Sequence, residues 1–154
     1  MAEPKQGVYL NSGIDLHCHS TASDGYHSPA DVVALAATRG IRTLAITDHD
    51  TADGFRLARS AAEQQGIRLI SGIELSTVWS GISVHMVGLG FDADSEAILR
   101  AEAHQNQVRA ERGETIARRL SKRLGHDIPF ADIVAMAGGL PEKVGRPHFA
   151  RYLI

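Results

Sequence analysis

Residues 15–25 read DLHCHSTASDG, which sets two histidines, His17 and His19, astride a cysteine, with Asp24 close behind. Asp48-His49-Asp50 follows, then Glu74, then His85. A lone His-x-His arises often by chance, but these later residues change its meaning. Imidazole combined with carboxylate suits borderline divalent ions such as zinc, iron or manganese, whereas magnesium and calcium prefer oxygen donors alone. More donors are present than one ion needs, so a cluster of two or three ions is expected. Such a cluster makes hydroxide from water at neutral pH and clamps the attacking and leaving oxygens of a phosphoryl group. The chemistry expected is hydrolysis. No Gly-rich phosphate loop, nucleotide fingerprint or serine-nucleophile motif competes for the role.

These residues must be positioned by the elements around them. IDLHC (14–18) alternates and breaks into a polar, Gly-containing loop, as a strand end does. On such a strand residues 15, 17 and 19 share one face, which lets His17 and His19 converge on one ion. Leu16 and Cys18 then face the other way, and Cys18 reads as a small buried apolar residue. Ser28-Pro29 is a helix start, and the helix over 30–40 ends at Gly40. Strands are expected over 41–50, 67–75 and, after a short WSG turn, 82–92, with a second helix over 53–66. Strand, helix, strand, helix, strand is the pattern of a parallel β/α architecture, whose active sites collect at the C-terminal ends of the strands. His17, His19, Asp48, His49 and Glu74 all fall at such ends. Asp48 is expected to orient an imidazole by hydrogen bonding, as carboxylates behind metal-binding histidines do.

From Ala93 the texture changes. Residues 94–125 are polar and helix-favouring, with glutamates interleaved among the arginines, so a solvated helix face is expected rather than a nucleic-acid surface. Shorter helices should cover 129–139 and 145–154, the latter with Pro147 in its first turn. The chain divides into a polar arm (1–13), a β/α part carrying the metal residues (14–93) and a helical insertion or cap (94–154). His27, His104 and His126 are expected at the surface, and Trp79 as packing or loop cover.

The whole chain bounds these readings. With 154 residues, 44% hydrophobic and 22% charged, it can bury a proper core. A net charge of -2 supplies no global field for nucleic acid or membrane, so an anionic ligand must be attracted locally. The single cysteine excludes an internal disulfide and suits a reducing compartment. No signal-like leader or bilayer-length apolar run is present, so a soluble cytoplasmic protein is expected, with no membrane partner.

DLHCHSTASDG, TDHD, GIELS and HMVGLG, in that order and spacing, resemble the successive motifs of the PHP (polymerase and histidinol phosphatase) domain, among the wider amidohydrolase relatives. GRPHFA, after the helical stretch, resembles the subgroup of PHP phosphoesterases that act on nucleotides and short RNA. The resemblance runs over nearly the whole chain from residue 14. It implies an α/β fold, part of a distorted TIM-like, seven-stranded β/α barrel with a helical insertion. It also implies a trinuclear site of manganese, iron or zinc. His17 and His19 would bind one ion, with Glu74 bridging to a second held by His85, while Asp24 and His49 would bind a third. Arg146 and His148 would face the substrate phosphate, His148 also donating a hydrogen bond or proton. The family's further ligands, a histidine or cysteine and then an aspartate and a histidine, belong to a later part of its chain. The 154 residues therefore read as the N-terminal half, with an open sheet edge as a pairing hazard.

The function implied is hydrolysis of a phosphate ester of a small phosphorylated metabolite, a nucleotide or an RNA end. Two alternatives stand beside it. One is an amide or cyclic-ester hydrolase, as among the amidohydrolase relatives. The other is an inactive metal-binding fragment or interaction module.

Overall fold

The structure, a computed structural model, describes residues 13–154. The expected polar arm over 1–13 lies, except for Gly13, outside the described residues. Among the described residues four strands form one sheet in the order β1-β2-β3-β4. They are β1 (Ile14–Cys18), β2 (Thr43–Ile46), β3 (Arg68–Trp79) and β4 (Ile82–Leu89). α1 (Pro29–Thr38) and α2 (Asp53–Gln65) are the crossovers that make β1, β2 and β3 parallel. Ser28 caps α1 by accepting from the Asp31 amide at 3.2 Å, and Gly66 ends α2 at φ 64°.

β2 is the buried centre of the sheet. Leu44, Ala45 and Ile46 are at most 1% exposed, and the first and last pack with Val33 and Ala36 of α1, Ala58 and Ala62 of α2, and Ile67. A fully buried side chain the size of Leu44 or Ile46 contributes about 1.5–3 kcal/mol of transfer free energy, so this two-helix face anchors the strands. Cys18 sits on the same face: its thiol donates to the Ala45 carbonyl at 3.4 Å and packs against that core. Burial, with the negative charges of Asp15 and Asp48, pushes the thiol up to about 12.

The expected parallel β/α pattern covers β1 to β3 and does not extend to β4. It pairs antiparallel with β3, from Gly72↔Leu89 to Trp79↔Ile82. The reason is the two-residue turn between them, where Ser80 and Gly81 both take positive φ (48° and 80°). Two left-handed residues close an antiparallel hairpin, and no helix intervenes to bring the chain back in parallel. The fold is thus mixed α/β, with four strands in one sheet among the described residues, consistent with part of a TIM-like barrel. Trp79, at the end of the hairpin, is 76% exposed rather than packed in the core.

The chain then runs into α3 (Glu96–Leu124), α4 (Phe130–Met136), a 3-10 turn (Pro141–Lys143) and α5 (Arg146–Tyr152). These share a second core of Ala117, Ile128, Ile133, Ala137, Val144 and Phe149. The expectation that α3 presents only a solvated polar face is corrected too. Glu102, Gln105 and Arg109, at i, i+3 and i+7, form one stripe directed at the β/α part. Glu102 is 7% exposed and accepts from the Ala52 amide at 2.6 Å and from Arg56 at 2.9 and 3.0 Å. Gln105 donates to the Ser76 carbonyl at 3.1 Å. No helix among the described residues is long and apolar enough to cross a membrane.

Gly54, in the first turn of α2, is where the backbone approaches the strand ends most closely. A Cβ there would lie 1.8 Å from Asp48 Oδ2 and 2.8 Å from Ile46 Cγ2. Gly54→Ala is therefore expected to lose about 1–3 kcal/mol in urea unfolding by overpacking, and to loosen the Asp48 contacts described below.

Candidate metal centre

The register of the sheet brings the chemistry together. The end of β1 carries His17 and leads into His19, while the chain leaving β2 carries Asp48, His49 and Asp50. His49 forms an isolated parallel bridge with Glu74 in the middle of β3. β4 returns so that His85 lies opposite Ser76, one step along the same face from Glu74. Glu74 is 6% exposed and becomes the centre of the group. Its Oε2 lies 2.8 Å from His17 Nε2 and 3.1 Å from His19 Nε2, and its Oε1 lies 2.6 Å from His85 Nδ1. Asp24 reaches back from its loop to within 3.5 Å of His19 Nδ1 and 3.7 Å of His49 Nε2.

Three overlapping donor sets result: His17, His19 and Glu74; His19, Asp24 and His49; and His49, Glu74 and His85. Within each, the ligand atoms lie within 4.8 Å of one another. All six residues expected as metal ligands are brought together, with His19, His49 and Glu74 each shared by two sets. The residues fit borderline divalent ions by a further test. His19 Nδ1 and His49 Nδ1 are buried and make no hydrogen bond, the state of a donor atom reserved for something other than protein. Burial lowers the His49 pKa, against the opposing pull of Asp24 and Glu74, and favours the neutral imidazole that binds metal. Burial raises that of Glu74, but hydrogen bonding from His17 and His85 and the charges of His49 and His19 outweigh it, and the carboxyl is held below its usual range.

Two aspartates frame this centre. Asp48 bonds no imidazole, which corrects its expected role. Its oxygens are taken by the Ser20 amide and hydroxyl, both at 2.7 Å, and by the Ser23 hydroxyl at 2.6 Å. Neighbouring residues on an extended chain point apart, so Asp48 faces the loop between His19 and Asp24 rather than His49. It fixes the loop that delivers two of the donors. Asp50 is fully buried at φ 59°, and accepts from the Ser76 amide at 2.7 Å, the Ser76 hydroxyl at 2.8 Å and Arg109 at 2.9 Å. Arg109 also donates to the Glu142 carbonyl at 2.8 Å. Sequence reading missed this pair, because one arginine among many on a polar helix carries no mark of burial.

The centre opens into a cleft of about 570 Å³ whose lining includes Asp24, His49 and His85 together with Arg109, Arg112 and Arg146. His148 lines a neighbouring cleft of about 310 Å³ that shares Asp24 and Pro147 with the first. Its Nδ1 accepts from the Gly145 amide at 3.0 Å, which leaves Nε2 as the free ring nitrogen. Burial and the nearby Arg151 lower its pKa, with Gly145 and Asp24 opposing. His27, His104 and His126 are exposed, as expected.

Replacing Glu74 with Ala removes the oxygen donor from two of the three sets. Zinc titration followed by metal analysis is expected to show at least one ion fewer per chain, whereas Cys18→Ala keeps the wild-type stoichiometry. Arg109→Met leaves the buried Asp50 without its cation and is expected to cost about 1.5–3 kcal/mol in thermal or urea unfolding.

Comparison with known proteins agrees with this geometry. Residues 15–121 match the model of the PHP domain. The chain is 42% identical to a 5′-3′ exoribonuclease of Haemophilus influenzae over 145 residues, which are 94% of this chain and 52% of that protein. It is 36% identical to a 3′,5′-nucleoside bisphosphate phosphatase of Chromobacterium violaceum over 149 residues, 93% of this chain and 50% of the relative. Among solved structures, an amidohydrolase from Chromobacterium violaceum with bound sulfate and no metal superposes with a TM-score of 0.81 at 38% identity. That likeness covers 92% of this chain and 49% of the other. The chain spans about half the length of the curated relatives it matches. With a family match over well above half its residues, the chain belongs to the PHP domain family.

Proposed function

We propose that this chain carries the metal-binding part of a phosphoesterase that hydrolyses a phosphate ester on a nucleotide or an RNA end. One observation carries the reading. The donor cluster opens, through Asp24, His49 and His85, onto a cleft that Arg112 and Arg146 also line. The named relatives, an exoribonuclease and a nucleoside bisphosphate phosphatase, support the substrate class.

His17, His19 and Glu74 would hold one ion, and Glu74, His49 and His85 a second. Asp24 and His49, with His19, would hold a third. Two or three ions of manganese, iron or zinc are the cofactors of this reading, and when bound they supply an activated water and stabilise charge on the phosphoryl oxygens. The protein's own groups do the rest. Arg146 offers a planar fork to the phosphate, and its charge stabilises the negative charge that builds up during transfer. His148, whose Nδ1 accepts from the Gly145 amide, is positioned to donate a hydrogen bond from Nε2 or to relay a proton. Asp48 and Asp50 keep the donor-bearing loops in register so that little reorganisation accompanies binding. Residues 94–154 act in this reading as a cap over the β/α part, supplying the arginine wall.

The test is phosphate release from a panel of phosphate and carboxylate esters, amides, nucleotides and 5′-phosphorylated trinucleotides, with manganese, zinc or iron added and metal content measured. Release from nucleotide or RNA-end substrates is expected, dependent on added metal. His17→Ala should abolish it, and Arg146→Ala should reduce it by about a hundredfold on phosphate substrates. Metal-loaded protein that hydrolyses only amides or carboxylate esters, or nothing, would refute the proposal.

A further inference from the structure

Arg109 does more than neutralise Asp50. Its side chain is 18% exposed, and its planar head bonds two groups from distant parts of the chain. One terminal nitrogen, Nη1, donates to Asp50 Oδ2 at 2.9 Å, and Nε donates to the Glu142 carbonyl at 2.8 Å. Asp50 holds Ser76 through both of its oxygens, and its amide donates to the Glu74 carbonyl at 3.0 Å. Ser76 in turn pairs with His85 across the hairpin. One arm of the guanidinium therefore ends on the backbone that carries Glu74 and His85. The other ends on the 3-10 turn Pro141–Lys143, from which the chain passes to Arg146, the first residue of α5.

The position of Arg146 is fixed from two directions. Val144 and Phe149, on either side of it, are buried with Ala117, Ile128, Ile133 and Ala137. That core sets Arg146 against the rest of the cap and leaves its distance from the donors undetermined. Glu102 and Gln105 seat α3 itself, on Ala52, Arg56 and Ser76. The direct tie between the turn and the donor-bearing backbone is Arg109. Its geometry requires a rigid fork with two differently directed donors. Lysine, a point charge on a flexible stem, can keep Asp50 compensated without reproducing that fork.

We propose that Arg109 is a positioning residue that sets the spacing between the metal centre and Arg146 across the cleft both arginines line. It acts through Asp50 on one side and Glu142 on the other, and its effect on a bound phosphate passes through Arg146. The inference rests on the phosphoesterase reading for the role of Arg146 and adds the residue that holds it at working distance. A guanidinium displaced by even a fraction of its hydrogen-bond length no longer meets a phosphate held at the donors.

A double-mutant cycle tests it, using calorimetric titration of the metal-loaded protein with a nucleoside 5′-phosphonate, which cannot be hydrolysed. Arg109→Lys should keep the wild-type zinc stoichiometry and weaken phosphonate binding by about tenfold. In an Arg146→Ala background the same substitution should change affinity by less than about twofold, because the group it positions is gone. Arg118→Ala should bind as the wild type does. Hydrogen exchange of the ligand-free protein gives a readout independent of substrate. The Val144 and Gly145 amides should exchange faster in Arg109→Lys, while those of Glu74 and Ser76 keep their protection. Equal losses in both backgrounds, unchanged binding in Arg109→Lys, faster exchange at Ser76 or no phosphonate binding by the wild type would each overturn the positioning role. Parallel hydrolysis assays separate the two readings. Coupling between Arg109 and Arg146 without hydrolysis of any phosphate ester sinks the phosphoesterase and leaves the positioning role, while hydrolysis without coupling does the reverse.

Discussion

The site depends on two buried carboxylates that flank His49. Asp48 takes three hydrogen bonds from Ser20 and Ser23, and Asp50 takes two from Ser76 and one from Arg109. Each is at most 1% exposed, so neither can be satisfied by water, and the cost of leaving such a group unpaired exceeds that of most local rearrangements. Between them they bind the loop after β1, the outer half of β3 and the long helix α3 to one short segment at the end of β2. His19, Asp24, His49 and Glu74 ride on those same pieces. His49 need do no structural work, because its neighbours on either side do it.

This arrangement also explains the left-handed backbone at Asp50. A non-glycine residue at φ 59° is unfavourable by itself, though aspartate tolerates it better than most. Here the turn lets the chain leave the sheet immediately after His49 while directing the Asp50 carboxylate towards Ser76 and Arg109. The resulting contact makes α3 part of the site rather than an appendage. Its stripe of Glu102, Gln105 and Arg109 seats the helix on the β/α part through polar contacts with Ala52, Arg56, Ser76 and Asp50. A polar seam of this kind has directional contacts, which suits a helix that must present further side chains to a cleft in a fixed orientation.

Much of the local structure was legible from residue types. Ser28-Pro29 marked the start of α1, Gly66 the end of α2, and strand alternation turned Cys18 into the core and His17 towards Glu74. What misled was the fourth strand. A run of β/α units invited a parallel reading, although the Ser80-Gly81 turn already limited β4 to an antiparallel return. The role of Asp48 was misread for a similar reason. Next to a histidine it suggested an imidazole partner, but adjacent side chains on an extended segment point apart, and its partners lie 25 and 28 residues earlier.

The sequence by itself named the candidate donors and the chemistry they suit, because imidazole and carboxylate types, strand periodicity and motif order are properties of short stretches. His17, His19, Asp24, His49, Glu74 and His85 could all be named in this way. Tertiary structure alone decided that His19 and His49 each fall in two candidate donor sets. It alone also separated the arginines of α3 into one that is buried on Asp50 and others that line a cleft. Those distinctions rest on parallel register, on a hairpin that folds His85 back over Ser76, and on contacts spanning up to 59 residues. Pairings at that separation leave no periodic trace, since each half of the pair is locally an ordinary polar residue.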